Sequence, residues 1–224
     1  MRNAVLVAVL LLVAGCSRAT VGHPESPHPS APAPSSRTPT AAPSAPVPST
    51  PPDAGAPVAA VIAWVEAGRR VDATGYHSAT RDGATTELGD DVGFTTPADA
   101  TGHTTCMTNA GALACLVDLT DPPPRPQDVY GAWQGNWVDF DGSSVQVGSA
   151  HADPGPFLRG DGPELPYGAS LAFGDYRCRA DPAGLVCVNY AHRAAARFAA
   201  AGITPFGCLH PAPTPPGVGK KFGC

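Results

Sequence analysis

The stretch Tyr176-Arg-Cys-Arg-Ala-Asp-Pro-Ala-Gly-Leu-Val-Cys-Val188 constrains the fold more than any other part of the chain. Asp181-Pro182-Ala183-Gly184 has Asp, Pro and Gly at the first, second and fourth positions, as a type I turn favours, and predicts a four-residue hairpin loop. Counting outward from that centre, 180 faces 185, 179 faces 186, and Cys178 faces Cys187. Opposed Cα atoms in an antiparallel pair lie about 4.5 to 5.5 Å apart, a spacing that a disulfide accepts. The same spacing recurs in Cys106-Met-Thr-Asn-Ala-Gly-Ala-Leu-Ala-Cys115, again with Gly in the turn. Two stapled hairpins are therefore expected to anchor a domain outside the reducing cytoplasm.

The beginning of the chain supports that compartment. Arg2 and the apolar run Ala4 to Val13 are too short for a permanent span and end in Val13-Ala14-Gly15-Cys16, which matches the lipobox of bacterial lipoprotein precursors. Residues 1–15 are expected to be a signal peptide, and Cys16 the acylated, palmitate-bearing residue. One acyl chain binds a membrane marginally, whereas two hold firmly. From Ser17 to Pro57 the composition turns to Pro, Ala, Ser and Thr, with twelve prolines in forty-one residues. Such a stretch lacks the apolar surface to fold and favours extended polyproline II, so 16–57 reads as a disordered tether. At about 3.1 Å per residue it reaches on the order of 100 Å.

Residues 58–224 then form one extracytoplasmic domain. Without Arg2, Arg18, Arg37, Glu25 and Asp53 it carries eleven Lys/Arg against seventeen Asp/Glu. It has no basic patch of the kind nucleic acid requires. Setting Cys16 aside leaves six cysteines, read as three disulfides. Hairpin geometry selects Cys106 with Cys115 and Cys178 with Cys187, which leaves Cys208 with Cys224. No C-x2-C pair favours zinc.

Within the domain, Val58, Val61, Ile62 and Val65 recur at helical spacing between Pro57 and Gly68 and predict a short helix over about 58–67. Asp82-Gly83 predicts a type I′ hairpin between Tyr76 and Leu88. Leu113 to Leu119 alternates as a strand, and shorter strands are expected at 138–140, 145–147, 171–173 and 185–189. Residues 191–201 (AHRAAARFAAA) give equal weight to helix and to a returning strand. The fold class expected is mainly β, an antiparallel, β-rich α+β domain with one or two short helices. Phe94-Thr-Thr-Pro97 and Leu165-Pro-Tyr-Gly168, each leading into a staple, suggest a weak two-half pseudo-repeat.

Candidate chemistry concentrates between residues 130 and 153. Asp139, Asp141, His151 and Asp153 could ligate a metal or supply an acid/base pair. The plainer reading is turn chemistry with exposed carboxylates, and 139–144 departs from the calcium-loop pattern. Ser149, His151 and Asp153 share residue types with a hydrolase triad, but alternation along one strand points them all to one side. No nucleophile elbow, zincin motif or phosphate loop is present, so no cofactor is expected. Tyr130, Trp133, Trp137 and Phe140 are the largest aromatic cluster. Tyr130, Trp133 and Trp137 could form a binding surface for a glycan or protein, and burial in the core is the alternative.

Ala63-Trp-Val-Glu-Ala-Gly68, His77-Ser-Ala-Thr-Arg-Asp-Gly83, Gly111-Ala-Leu-Ala-Cys-Leu-Val117, Gly135-Asn-Trp-Val-Asp-Phe140, His151-Ala-Asp-Pro-Gly-Pro-Phe157 and Phe173-Gly-Asp-Tyr-Arg-Cys178 resemble the small mycobacterial cell-envelope lipoproteins of the LppI type. The resemblance extends over signal, tether and domain. It implies an envelope location and this disulfide pattern, and it carries no catalytic residues, because the family has no established activity. It also implies a strand over 195–198, although this chain is Ala-rich where relatives often carry Gly-x-Gly-Phe. The expectation is a lipoprotein anchored to the membrane through Cys16 on the extracytoplasmic face, acting as a binding module for an envelope protein or glycan. The rival expectation is a cell-wall hydrolase or metal-dependent enzyme using Asp139 to Asp153.

Overall fold

A computed structural model describes residues 49–98, 102–127 and 129–224. The signal segment, Cys16 and most of the tether lie outside the described residues.

Pro57 precedes helix α1 (Val58–Glu66), and its carbonyl accepts the Ala60 and Val61 N–H groups. Val61, Trp64 and Val65 form the buried stripe. Gly68 ends this element for reasons of space, since a Cβ there would lie 2.8 Å from Ser170 Cβ and 3.0 Å from Arg179 Cδ. Pro51 and Pro52 are half-buried, and Arg197 Nη1 donates to the Pro52 carbonyl (3.4 Å). The end of the Pro-rich stretch thus packs on the domain.

Strand β1 (Arg69–Arg70) is followed by a 3₁₀ turn (Ala73–Tyr76) and by the small hairpin β2 (Ser78–Arg81) and β3 (Ala84–Glu87). Asp82 and Gly83 both have positive φ, 52° and 81°, which is the I′ turn that the dipeptide predicts. Five consecutive strands then form an antiparallel meander: β4 (Gly93–Thr95), β5 (Thr104–Asn109), β6 (Ala112–Val117), β7 (Ala132–Phe140) and β8 (Ser144–His151). After a second 3₁₀ turn (Gly155–Arg159) come five more: β9 (Ala169–Phe173), β10 (Tyr176–Asp181), β11 (Gly184–Asn189), β12 (Ala194–Ala199) and β13 (Gly202–Gly207). The chain finishes with β14 (His210–Pro211) and β15 (Val218–Gly223), which extend the first sheet beyond β8. β1 pairs parallel to β9 at the edge of the second sheet.

The two meanders share a plan. Each has a cystine bridging its second and third strands, with Cys106 opposite Cys115 on β5 and β6, and Cys178 opposite Cys187 on β10 and β11. The Pro182-Ala183 turn sets the register counted from sequence, and Asp181 Oδ1 accepts the Ala183 N–H (2.9 Å). All four sulfur-bearing residues are fully buried in a core shared by the two sheets, with Phe94, Val138, Phe140, Leu171 and Phe198. The Tyr176 hydroxyl crosses between the sheets to the Phe140 carbonyl (2.8 Å), and burial pushes that phenol up to about 12. Cys208 follows β13 and Cys224 follows β15, so the third bridge ties one sheet to the other.

The Ala-rich segment is a strand from 194 to 199, and the helix that its composition equally allowed does not form. Ala194, Ala196 and Phe198 face the shared core, while Ala195 packs under α1 with Val186, Val188 and Phe206. A strand buried on both faces beneath a close helix suits methyl side chains, so tertiary packing overrides helix propensity here.

Candidate functional site

The β7–β8 hairpin carries the sequence candidates, and its turn explains one of them. Asp141 begins the Asp141-Gly142-Ser143 connection. Its Oδ1 accepts the N–H groups of Ser143 (2.8 Å) and Ser144 (2.6 Å) and the Ser143 hydroxyl, and Oδ2 accepts the Ser144 hydroxyl. Burial works to raise the pKa of this carboxyl, but the hydrogen bonds from Ser144 and Ser143 prevail and hold it below the ordinary aspartate value. Asp141 is thus committed to closing its own turn. Asp153 does the same after β8, accepting the Gly155 N–H (2.7 Å).

Asp139 and His151 are brought together through Trp137. The β7–β8 ladder slips between Gln134–Ser149 and Val138–Val147, so three β7 residues oppose the single Gly148. Gly148 has φ of 72°, and a Cβ there would lie 2.8 Å from Trp133 Cζ2. This bulge interrupts the strand's strict alternation. Val145 and Val147 face the shared core, whereas His151 stacks on Trp137 with ring centroids 3.6 Å apart. Trp137 Nε1 donates to Asp139 Oδ1 (2.8 Å), and the Phe157 ring meets the same indole edge-on. Ser149 Oγ and His151 Nε2 are hydrogen-bonded at 2.5 Å, with the imidazole tautomer setting the donor.

The electrostatics favour neutral partners. Burial raises the Asp139 carboxyl above its ordinary value, helped by the Asp141 charge and opposed by the Trp137 hydrogen bond and His151. Burial lowers His151, opposed by Asp139 and Asp153. A carboxyl raised in the folded state contributes stability that is present below its unfolded value, near 3.9, and lost as pH rises through the folded value. Asp139→Asn keeps an acceptor for Trp137 and should raise the melting temperature at pH 7 by a few degrees, about the scale of an ordinary single substitution in a domain this size. The difference should vanish at pH 3. An equal or lower melting temperature at pH 7 would show that the ionised carboxylate is well accommodated.

The aromatic candidates separate. Phe140 is fully buried in the shared core, and Trp137 is 4% exposed beneath His151 and Phe157. Trp133 is half-buried, with its Nε1 donating to the Pro123 carbonyl (3.0 Å). Only Tyr130, 99% exposed, presents its ring to solvent. Among the described residues no group of three or more His, Cys, Asp or Glu side chains is placed to hold a metal ion.

Two open cavities lie away from this hairpin. One, of about 470 Å³, has Asp90, Asp91 and Thr108 beside Phe173 and Tyr176. The other, of about 600 Å³, is lined by Gly55 to Val58, His192, Arg193 and the stretch 205–211 including His210. Sequence reasoning put none of these lining residues forward as a functional candidate. His192 and His210 are separated by the whole β12–β13 hairpin, and only its pairing brings them to one cavity. Comparison with known protein families, curated proteins and solved structures finds no match.

Proposed function

We propose that this chain is a cell-envelope lipoprotein, anchored through acylated Cys16, whose disulfide-stapled domain acts as a binding module. The reading keeps the resemblance to envelope lipoproteins of the LppI type, with the lipobox and Pro-rich tether as its sequence support. One structural observation carries binding over catalysis. The Ser149, His151 and Asp139 grouping packs around Trp137, while neither the 600 Å³ nor the 470 Å³ cavity is lined by any of these residues. A hydrolase needs its nucleophile and base where substrate can be held. Asp141 and Asp153, which the rival enzyme reading also requires, are engaged by their own turns.

The anchor is tested by Cys16→Ala behind a signal peptide that is cleaved without acylation. The variant is expected to leave the membrane fraction almost entirely and to keep the wild-type circular dichroism spectrum and melting temperature. Tight retention on membranes would overturn the anchored reading.

A further inference from the structure

The 600 Å³ cavity has an unusual charge balance for this chain. The protein carries a formal net charge of −5, yet among the described residues no Asp or Glu lines this cavity. Its charged and titratable lining consists of Arg193, His192 and His210. All three are exposed, and none of their side chains forms a hydrogen bond or ion pair among the described residues. Arg81, Arg125, Arg159, Arg179 and Arg197 have partners, whereas among the described residues Arg69, Arg70 and Arg177 share the unpaired state of Arg193 but line no part of this cavity.

The local backbone holds these groups in place. Tyr190 to Arg193 forms the β11–β12 turn, and Arg193 sits at φ of 51°, where a glycine would be cheaper. The main chain behind it is closely packed, because a Cβ on Gly207 would lie 2.3 Å from the Arg193 carbonyl oxygen. Pro57 and Val58, which open helix α1, complete the wall.

We infer that this cavity is a binding site for a phosphate group. A guanidinium presents a planar fork of N–H donors suited to phosphate oxygens, and imidazole N–H groups add donors without a competing carboxylate. The volume lies within the range of small-ligand sites, about 300 to 1,000 Å³. Phosphate could come from an anionic lipid headgroup or from a soluble phosphate. The wall at residues 55–58 is where the tether enters the domain, which favours the headgroup. Only that choice of source rests on the anchored reading, since the anion site stands on the cavity itself.

The test uses residues 17–224, which contain every described residue and omit Cys16. Inorganic phosphate is expected to shift the ring resonances of His192 and His210 saturably at constant ionic strength. Arg193→Gly removes the fork while suiting the positive φ, so it should weaken phosphate binding at least tenfold without lowering the melting temperature. Arg193→Lys should retain an intermediate affinity. Absence of a saturable shift, or equal affinity in Arg193→Gly, would overturn the site. Co-sedimentation with phosphatidylglycerol vesicles but not phosphatidylcholine vesicles, lost in Arg193→Gly, would identify the headgroup as the source. Phosphate binding without vesicle binding would support the site and assign it to a soluble phosphate. The Cys16→Ala fractionation reports separately on the anchor, so failure of one leaves the other standing.

Discussion

Gly162→Ala is expected to destabilise the domain by about 3 to 4 kcal/mol, a loss at the severe end for single substitutions. Gly162 is buried where the segment 160–165 crosses the first meander. A Cβ there would stand 2.0 Å from the Gly93 carbonyl carbon and 2.4 Å from the Phe94 nitrogen. Those are backbone atoms, so no rotamer change can relieve the collision. The segment is also fixed on both sides. Thr80 and Asp161 exchange N–H to carbonyl bonds of 2.8 and 3.0 Å, Thr95 donates to the Pro163 carbonyl, and Leu165 donates to the Thr95 carbonyl. Moving 162 outward breaks that set, and the buried Thr95 and Leu165 lose their backbone partners. Gly75→Ala is the internal comparison, because open space surrounds it and its φ is ordinary. It should fall within about 0.5 kcal/mol of the parent. Urea unfolding followed by fluorescence would separate the two; coincident midpoints would contradict the close approach of Gly93 and Gly162.

The second large effect concerns the cystines. Dithiothreitol under native conditions should open Cys208–Cys224 first, because Cys224 is exposed and Cys208 only half-buried, whereas Cys106, Cys115, Cys178 and Cys187 are fully buried. In residues 17–224, which lack Cys16, alkylation and mass spectrometry should then show two labels on a folded protein, and six only after a denaturant is added. Replacing both core pairs with alanine goes further. Each core bridge closes a short loop of the same sequence separation, nine residues. Each is worth about 3 kcal/mol at most on the chain-entropy account. Losing both removes a quantity comparable with the whole net stability of a typical domain, about 5 to 15 kcal/mol. The four-alanine variant should therefore be largely unfolded at 37 °C by near-ultraviolet circular dichroism. Equal labelling of all six cysteines in the native state would mean that the shared core opens readily.

The hairpins were legible from sequence because their information is local. Asp82-Gly83 and Asp181-Pro-Ala-Gly184 specify turn and register together, and opposed cysteines follow from counting. The helix at 58–66 announced itself by period and by its flanking Pro, although Gly68 serves close packing against Ser170. What depends on distant partners was less readable. The Ala-rich strand 194–199 makes sense only once α1 covers one face and the shared core the other. Nothing near Val218 signals that β15 pairs with β8.

The candidate site divides along the same line. Period two placed Ser149 and His151 on one side of a strand, and they hydrogen-bond there. The spacing of three between Trp137 and Phe140 would group them on a helix, but on a strand it sends them to opposite faces. The slip at Gly148 that frames the stacked Trp137 and His151 depends on the pairing with β7, which the sequence of β8 alone does not disclose.

The outer edges of the two sheets bear on behaviour at high surface density. The first sheet ends in β4, three residues long and already bonded at Thr95 to the segment 163–165, and in β14, two residues including Pro211; the second ends in β1, two residues, and in β13, which contains Pro205. Short or proline-bearing edges offer poor templates for adding a strand from a neighbour. Copies crowded side by side in one plane would therefore meet through side chains rather than through shared ladders, and the domain can be dense on a surface without polymerising there.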